Sequence, residues 1–118
     1  MLIYKEFRFE AAHLLPNAPE GHKCRRLHGH SFVVGIHVAG SVDERAGWVV
    51  DFGEITDLFE PLYEQLDHRY LNEIEGLENP TSENVAIWIW RELKPRLGAL
   101  VKVEVKETCT SGCVYEGD

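Results

Sequence analysis

The segment from His28 to Ala39, HGHSFVVGIHVA, has a regular alternating pattern. Apolar residues occupy every second position of its central part: Phe32, Val34, Ile36 and Val38. This period of two predicts a β-strand with one buried face. His28 and His30 share the phase of the apolar residues, so both imidazoles should lie on the same face of the strand.

A second alternating stretch begins the chain, between Ile3 and Ala11, and predicts another half-buried strand. His13 follows it in the phase of its buried residues. If the two strands pair as a hairpin, His13, His28 and His30 converge near the open end of that hairpin.

A lone histidine is usually an ordinary core or surface residue, but this pattern favours a metal site. It combines a His-x-His pair with a third histidine in matching phase. Imidazole is a preferred ligand of zinc, and catalytic zinc sites typically use three protein ligands and keep a fourth position open. We therefore expect His13, His28 and His30 to bind Zn²⁺. His22 lies in a loop without such a phase and is left out of the ligand set.

The remaining elements follow in the order helix, helix, strand, strand. Asp51 is a candidate N-cap of the first helix, and Pro61 within that helix is expected to kink or split it. The second helix is predicted to start near Thr81, and the last two strands to cover Val101–Val105 and Cys113–Glu116. The order ββααββ predicts an α+β fold, with a four-stranded antiparallel sheet and two helices on one face.

Length and composition limit the classes of protein. A chain of 118 residues is expected to form one domain over residues 1–118. The net charge of −8 argues against a nucleic-acid partner, and the longest apolar run is far too short to span a membrane. Three cysteines and an N-terminus without a signal-peptide pattern lead us to expect a cytoplasmic protein.

Cys24 lies between the predicted ligands, in the basic segment Lys23-Cys24-Arg25-Arg26. Three roles are open to it: fourth ligand of a closed structural zinc site, catalytic thiolate, or inert buried thiol. Its cationic neighbours favour the thiolate, but spacing alone does not separate the first two roles. Lys23, Arg25 and Arg26 form either a solvated basic turn or a site for an anionic part of a substrate.

Two further acidic positions are candidates for chemistry. Asp67 and His68 are adjacent at the end of the first predicted helix, where they form either a proton-transfer pair or a solvated helix end. Glu107 follows the third predicted strand, and it is either exposed filler or a bidentate acceptor for a guanidine-like ligand edge.

Taken together, several segments resemble the 6-pyruvoyl tetrahydropterin synthase family, and the resemblance extends over nearly the whole chain. The segments that carry it are Phe9-Glu10-Ala11-Ala12-His13, Gly21-His22-Lys23-Cys24, Leu27-His28-Gly29-His30-Ser31, Leu66-Asp67-His68, Glu78-Asn79-Pro80-Thr81-Ser82-Glu83 and Lys106-Glu107-Thr108. The short chain and its ending, Glu107 to Tyr115, are most similar to the bacterial branch that makes 6-carboxytetrahydropterin for queuosine. Arg25 stands where the family pattern suggests a small residue such as glycine.

The resemblance implies the tunnelling fold, in which sheets of several subunits form trimeric barrels and two barrels stack as a hexamer. It implies sites between subunits and dihydroneopterin triphosphate as the substrate. His13, His28 and His30 would hold zinc, and Cys24 would be the base that removes a side-chain proton. Asp67 would orient His68 as the second proton-transfer group. Glu107 would bind the amino-pyrimidine edge of the pterin and join the catalytic proton relay around His68.

The implied reaction eliminates triphosphate and cleaves the side chain, releasing acetaldehyde and leaving 6-carboxytetrahydropterin. Lys23, Arg25 and Arg26 are assigned to the triphosphate from charge and position alone. Formation of 6-pyruvoyl tetrahydropterin, without carbon–carbon cleavage, is the close alternative. A less favoured alternative is a non-catalytic module in which the three histidines and Cys24 close around zinc.

Overall fold

The computed structural model describes residues 1–118, and its central feature is a long antiparallel hairpin. Strand β1 covers Leu2–His13 and β2 covers His28–Ala39. Their register pairs His13 with His28 at the open end. Each strand buries alternate residues, as the period of two predicts.

Three shorter strands complete the sheet in the order β3-β1-β2-β4-β5. Strand β4 (Leu100–Lys106) is antiparallel to β2, and β5 (Gly112–Tyr115) is antiparallel to β4. Strand β3 (Arg69–Tyr70) runs parallel to β1 at the opposite edge. The prediction of a four-stranded, purely antiparallel sheet was therefore wrong in this detail, because a two-residue strand is too short to show any periodicity.

Helix α1 spans Phe52–Leu66 and begins as expected at Asp51, whose side chain accepts a hydrogen bond from the Gly53 N–H. The helix is not split at Pro61. Pro61 is exposed, and so is Asp57, the residue whose carbonyl loses its helical partner. Water can therefore replace the missing hydrogen bond, and burial of the apolar face keeps the helix continuous.

Helix α2 spans Ser82–Leu93 and is capped by Thr81, whose hydroxyl accepts a hydrogen bond from the Asn84 N–H. Both helices pack on one face of the sheet and share a single apolar core with it. Phe7 of β1 stacks on Phe59 of α1, with ring centroids 4.2 Å apart. Burial of this face supplies the main stabilisation of the fold.

The opposite face of the sheet is not covered by any helix, and charged side chains alternate along it: Glu6, Arg8, Glu10, Glu104 and Lys106. No helix in the structure combines the length and the apolar character needed to cross a bilayer.

Candidate active site

Three imidazoles meet at the open end of the β1–β2 hairpin. His13 pairs directly with His28, and His30 lies opposite Ala11, two residues before His13. One ring nitrogen from each of the three histidines lies within 4.8 Å of the others. The convergence expected from the strand phases is therefore present, because side chains two residues apart share a face and the register aligns the two strands.

Backbone carbonyls orient two of the three rings. His13 Nδ1 lies 2.8 Å from the carbonyl oxygen of Pro80, and His28 Nδ1 lies 2.7 Å from that of Arg26. A carbonyl only accepts, so each Nδ1 carries the proton and donates it. Each Nε2 then keeps a free lone pair, which is the arrangement that ligating histidines normally show.

The surroundings of His13 indicate whether a metal ion fits these three residues. Its side chain is fully buried, and its Nε2 has no hydrogen-bond partner. Burial lowers the pKa of His13, and the Pro80 carbonyl partly offsets that effect, so the neutral ring that binds metals is favoured. A buried nitrogen without a partner costs on the order of 1–3 kcal/mol, which a bound cation would remove. Three imidazole donors of this kind fit zinc.

Glu107 directs its carboxylate at the same cluster. Its Oε1 lies 3.3 Å from His13 Nε2 and 3.5 Å from His30 Nε2, outside hydrogen-bond geometry for His13. Glu107 follows the last residue of β4, and its N–H donates to the Ser111 carbonyl across the turn to β5. The pairing of β4 with β2 thus brings together residues that are far apart in the chain.

Asp67 and His68 form a pair beside β1. Asp67 Oδ1 accepts the Glu10 N–H at 3.0 Å, and Asp67 Oδ2 lies 2.8 Å from His68 Nδ1. The Glu10 N–H, and secondly His68, lower the pKa of Asp67. His68 has a φ of 57°, in the left-handed region that few residues other than glycine adopt. This turn allows two adjacent side chains to face each other, and the exposed His68 keeps its Nε2 free.

An open cavity of about 590 Å³ lies beside His68 and the end of the β1–β2 hairpin. Its lining includes His30, His68, Glu10, Ser31 and Tyr70. Strand β3, which follows His68 directly, holds this side of the cavity against β1. One residue of the histidine cluster and the candidate proton-transfer group therefore border the same cavity.

Cys24 lies outside both the cavity lining and the three-histidine cluster. It is half-buried in a short 3₁₀ turn, Lys23–Arg25, and its N–H donates to His22 Nδ1. Its carbonyl accepts the Leu15 N–H at 2.7 Å, which ties the turn to the start of the same loop. His22 serves this turn and is not part of the cluster.

The three cations around Cys24 are exposed and form no ion pair. Arg25 donates to the Ala18 carbonyl at 3.3 Å, and this hydrogen bond joins two parts of the loop between β1 and β2. Lys23 and Arg26 have no side-chain partner within the chain. The structure thus leaves these cations available but does not bring them into the cavity beside His30 and His68.

Sequence reasoning missed the backbone groups that shape the site. The carbonyls of Pro80 and Arg26 orient His13 and His28, and the Glu10 N–H binds Asp67. Every residue except proline carries both groups, so no sequence signal marks the ones that are used. Only the folded chain identifies them.

Comparison with known proteins places this geometry in a family. The sequence model of 6-pyruvoyl tetrahydropterin synthase matches residues 2–118, and the chain belongs to that family. A 6-carboxy-5,6,7,8-tetrahydropterin synthase from Synechocystis is 49% identical over 120 residues, covering 97% of this chain and 92% of the relative.

Two further relatives show the breadth of the family. A dihydroneopterin monophosphate aldolase from Pyrococcus furiosus is 35% identical, covering 87% of this chain and 82% of the relative. The structure of 6-pyruvoyl tetrahydropterin synthase from Caenorhabditis elegans superposes with a TM-score of 0.92 at 28% identity, covering 100% of this chain and 96% of that one. The relatives are pterin enzymes of differing activities, so this chain is similar to enzymes that act on pterins.

Proposed function

We propose that this chain is a zinc-dependent 6-carboxy-5,6,7,8-tetrahydropterin synthase of queuosine biosynthesis. It would convert 7,8-dihydroneopterin triphosphate and water into 6-carboxytetrahydropterin, acetaldehyde and triphosphate. The observation that carries this proposal is the buried His13 Nε2, which has no hydrogen-bond partner and lies in a cluster with two further imidazoles. The Synechocystis relative supports the choice of product.

His13, His28 and His30 would hold the zinc ion. When bound, zinc supplies a Lewis acid that polarises the side-chain hydroxyls of the substrate. The Pro80 and Arg26 carbonyls would keep His13 and His28 in the tautomer that leaves Nε2 free. Because His13 and His28 belong to paired strands, the donors would hold their geometry during turnover.

Cys24 and His68 would move protons. In this proposal the Cys24 thiolate removes a proton from a side-chain carbon of the substrate. Asp67 orients His68 through its Nδ1, and the exposed Nε2 of His68 exchanges a proton with the substrate from the cavity. The depressed pKa of Asp67 keeps its carboxylate ionised, which suits a group that fixes a tautomer rather than one that gives up a proton.

Glu107 would bind the amino-pyrimidine edge of the pterin through its carboxylate, which accepts two parallel N–H donors well. Its position 3.3 Å from His13 Nε2 would set the pterin edge close to the zinc ligands. Lys23, Arg25 and Arg26 would attract the triphosphate, because these cations have no carboxylate partner in the chain.

We further propose a cytoplasmic homohexamer, built as a dimer of trimers from single-domain chains of residues 1–118. Strand β5 pairs only with β4, so its outer edge is free, and the charged face of the sheet is not covered by a helix. Edge pairing between copies would close the sheets into barrels. Cys24 could then reach the cluster of a neighbouring subunit. Light scattering of the zinc-loaded protein should give six times the chain mass, and a monomer would contradict this.

Product analysis tests the activity. The zinc-loaded protein is incubated with 7,8-dihydroneopterin triphosphate, and the pterin and aldehyde products are identified by mass spectrometry. Acetaldehyde with 6-carboxytetrahydropterin supports the proposal. Pyruvoyl tetrahydropterin without acetaldehyde supports the alternative synthase, and a parallel incubation with the monophosphate tests the activity named for the Pyrococcus relative.

A non-catalytic zinc module is the remaining alternative. It requires Cys24 to complete a closed set of four ligands, and Cys24 lies apart from the three-histidine cluster. Alkylation with iodoacetamide separates the two functions. A catalytic thiol should react readily while zinc stays bound, whereas a zinc-ligating thiol should be protected until the metal is removed.

A further inference from the structure

The chain leaves β1 directly after His13, and one side chain binds both backbone groups of the next residue. Asn72 Oδ1 accepts the Leu14 N–H at 3.0 Å, and Asn72 Nδ2 donates to the Leu14 carbonyl at 2.8 Å. Leu14 lies outside the strand, so these bonds replace a strand partner. They determine the direction in which the backbone leaves His13.

The same amide reaches the segment that binds the His13 ring. Asn72 Nδ2 lies 3.4 Å from the carbonyl of Glu78, two residues before Pro80, whose carbonyl accepts from His13 Nδ1. Asn72 therefore contacts the chain on both sides of the hydrogen bond that orients His13. The Leu14 N–H needs an acceptor and the two carbonyls need a donor, so the network itself assigns the oxygen and nitrogen of the amide.

Asn72 belongs to a 3₁₀ turn, Leu71–Glu73, directly after β3. Strand β3 follows His68, so a single short segment carries the candidate proton-transfer group and the clamp on His13. The partly buried Asn72 side chain forms no hydrogen bond with any of the three histidines. Its effect on them must pass through the backbone of Leu14 and Glu78.

We propose that Asn72 is a positioning residue for the metal ligand His13: by clamping Leu14 and Glu78 it holds the His13 ring against the Pro80 carbonyl and so sets the affinity of the three-histidine site. This inference rests on the zinc site of the proposed function. It concerns only how this chain positions His13. Measurements on Asn72 variants distinguish a failure of this inference from a failure of the zinc site itself.

The test compares Asn72→Ala and Asn72→Asp with the unaltered protein. Asn72→Ala removes all three hydrogen bonds. Asn72→Asp keeps an acceptor for the Leu14 N–H but places a carboxylate against two carbonyls. Lys94→Met is the matched control, because Lys94 Nζ likewise donates to two backbone carbonyls, those of Gly98 and Leu100, away from the cluster.

Two readouts are independent of activity. Zinc affinity is measured by competition with a chromophoric chelator, and the His13 Nδ1–H resonance is followed by NMR in metal-free protein labelled with ¹⁵N-histidine. Loss of an outer-shell partner typically weakens metal binding by 10–100-fold, so we expect roughly tenfold weaker zinc binding in both Asn72 variants. The His13 N–H should shift and exchange faster while that of His28 stays unchanged, and Lys94→Met should alter neither readout.

Zinc affinity and a His13 resonance like those of the unaltered protein, in either folded Asn72 variant, would overturn the proposal. Loss of the fold in both variants, checked by circular dichroism, would overturn it as well, because the clamp would then serve the scaffold as a whole. If the unaltered protein itself fails to bind zinc, the proposed function fails, and that outcome is distinct from either of these.

Discussion

The candidate site has two halves that are built differently. The candidate metal half lies on two paired strands, where His13 and His28 stand opposite each other and donate to the backbone carbonyls that orient them. The half proposed for substrate binding and proton transfer lies on loops and element ends: Cys24 in a 3₁₀ turn, His68 in a left-handed turn, Glu107 directly after β4.

The difference shows that the paired strands provide rigid positions and the loops provide adjustable ones. Strand pairing holds the candidate metal donors in place, and donors placed in advance need no reorganisation during a reaction. Loops can adjust to a substrate and to a neighbouring subunit. We therefore expect changes in the strand half to abolish binding of the metal, and changes in the loop half to slow chemistry while the metal stays bound.

The largest effect is expected from His30→Ala or His28→Ala. Each change removes a nitrogen that would bind the metal directly. Loss of a residue that only orients a metal ligand costs roughly 10–100-fold in affinity, so zinc affinity should fall by more than this. Turnover should be lost together with the metal. Chelator competition and product analysis measure the two effects. His22→Ala is the control, since His22 only caps a turn. A His30→Ala protein that keeps full zinc affinity would contradict the assignment of the ligands.

Cys24→Ala should separate the two halves most clearly. We expect a folded protein with zinc bound as tightly as before, while turnover falls by about 10²–10⁴-fold because a general base is lost. Metal analysis of the purified variant and steady-state kinetics give the two values. Loss of zinc together with activity would instead support the closed four-ligand module, and Cys109→Ala serves as the thiol control.

Glu107→Gln tests whether the carboxylate binds the substrate or the metal. If Glu107 binds the pterin edge, loss of a charge-assisted hydrogen-bond pair should raise KM roughly tenfold or more and leave zinc affinity unchanged. If its approach to His13 and His30 reflects a role as a ligand, zinc affinity should fall instead. Measuring KM and zinc affinity on the same preparation distinguishes these outcomes.

Asp67→Asn should lower kcat by about tenfold with little change in zinc affinity. The amide keeps the shape of Asp67, but it can place an NH₂ group against His68 Nδ1 or where the Glu10 N–H donates, so it no longer fixes the tautomer of His68. Steady-state kinetics and chelator competition measure kcat and zinc affinity on the same preparation. A kcat equal to that of the unaltered protein would show that Asp67 does not act through His68.

The smallest effect concerns His37, which lies on β2 like His28 and His30 but on the opposite face. Burial, followed by Lys102, lowers the pKa of His37 below its ordinary 6.5, while Glu104 and Glu6 partly offset the shift; Tyr4 stacks on the ring. The unfolded chain therefore binds the proton more readily than the folded one.

The free energy of unfolding should consequently decrease as the pH falls through about 6.5, since stability rises with pH where the unfolded state holds more protons. His37→Gln should flatten that slope in urea titrations between about pH 7 and 5. His22→Gln, at an exposed loop position, should leave it unchanged. A slope that is identical in all three proteins would show that His37 does not titrate on unfolding.

Much of the fold could be predicted because its signals are local. The alternation in β1 and β2 predicted both strands and the shared face of His28 and His30, and Asp51 marked the start of α1. Two departures from what the local pattern suggests have the same origin, which is packing against the rest of the fold. Strand β3 is two residues long and exists because it packs against β1, and Pro61 fails to split α1 because the apolar face of the helix is held by the core.

Which side chains share a face followed from the alternation of residues, since the period of a strand depends on backbone geometry alone. The pattern thereby indicated the three candidate ligands, and the motifs indicated the family. How distant groups meet depends on the folded chain: Asp67 accepts the Glu10 N–H, the Pro80 carbonyl accepts from the His13 ring, and Glu107 lies beside His13. The first two contacts use backbone groups that almost every residue carries, and the third depends on the pairing of β4 with β2, so no pattern of side chains indicates them.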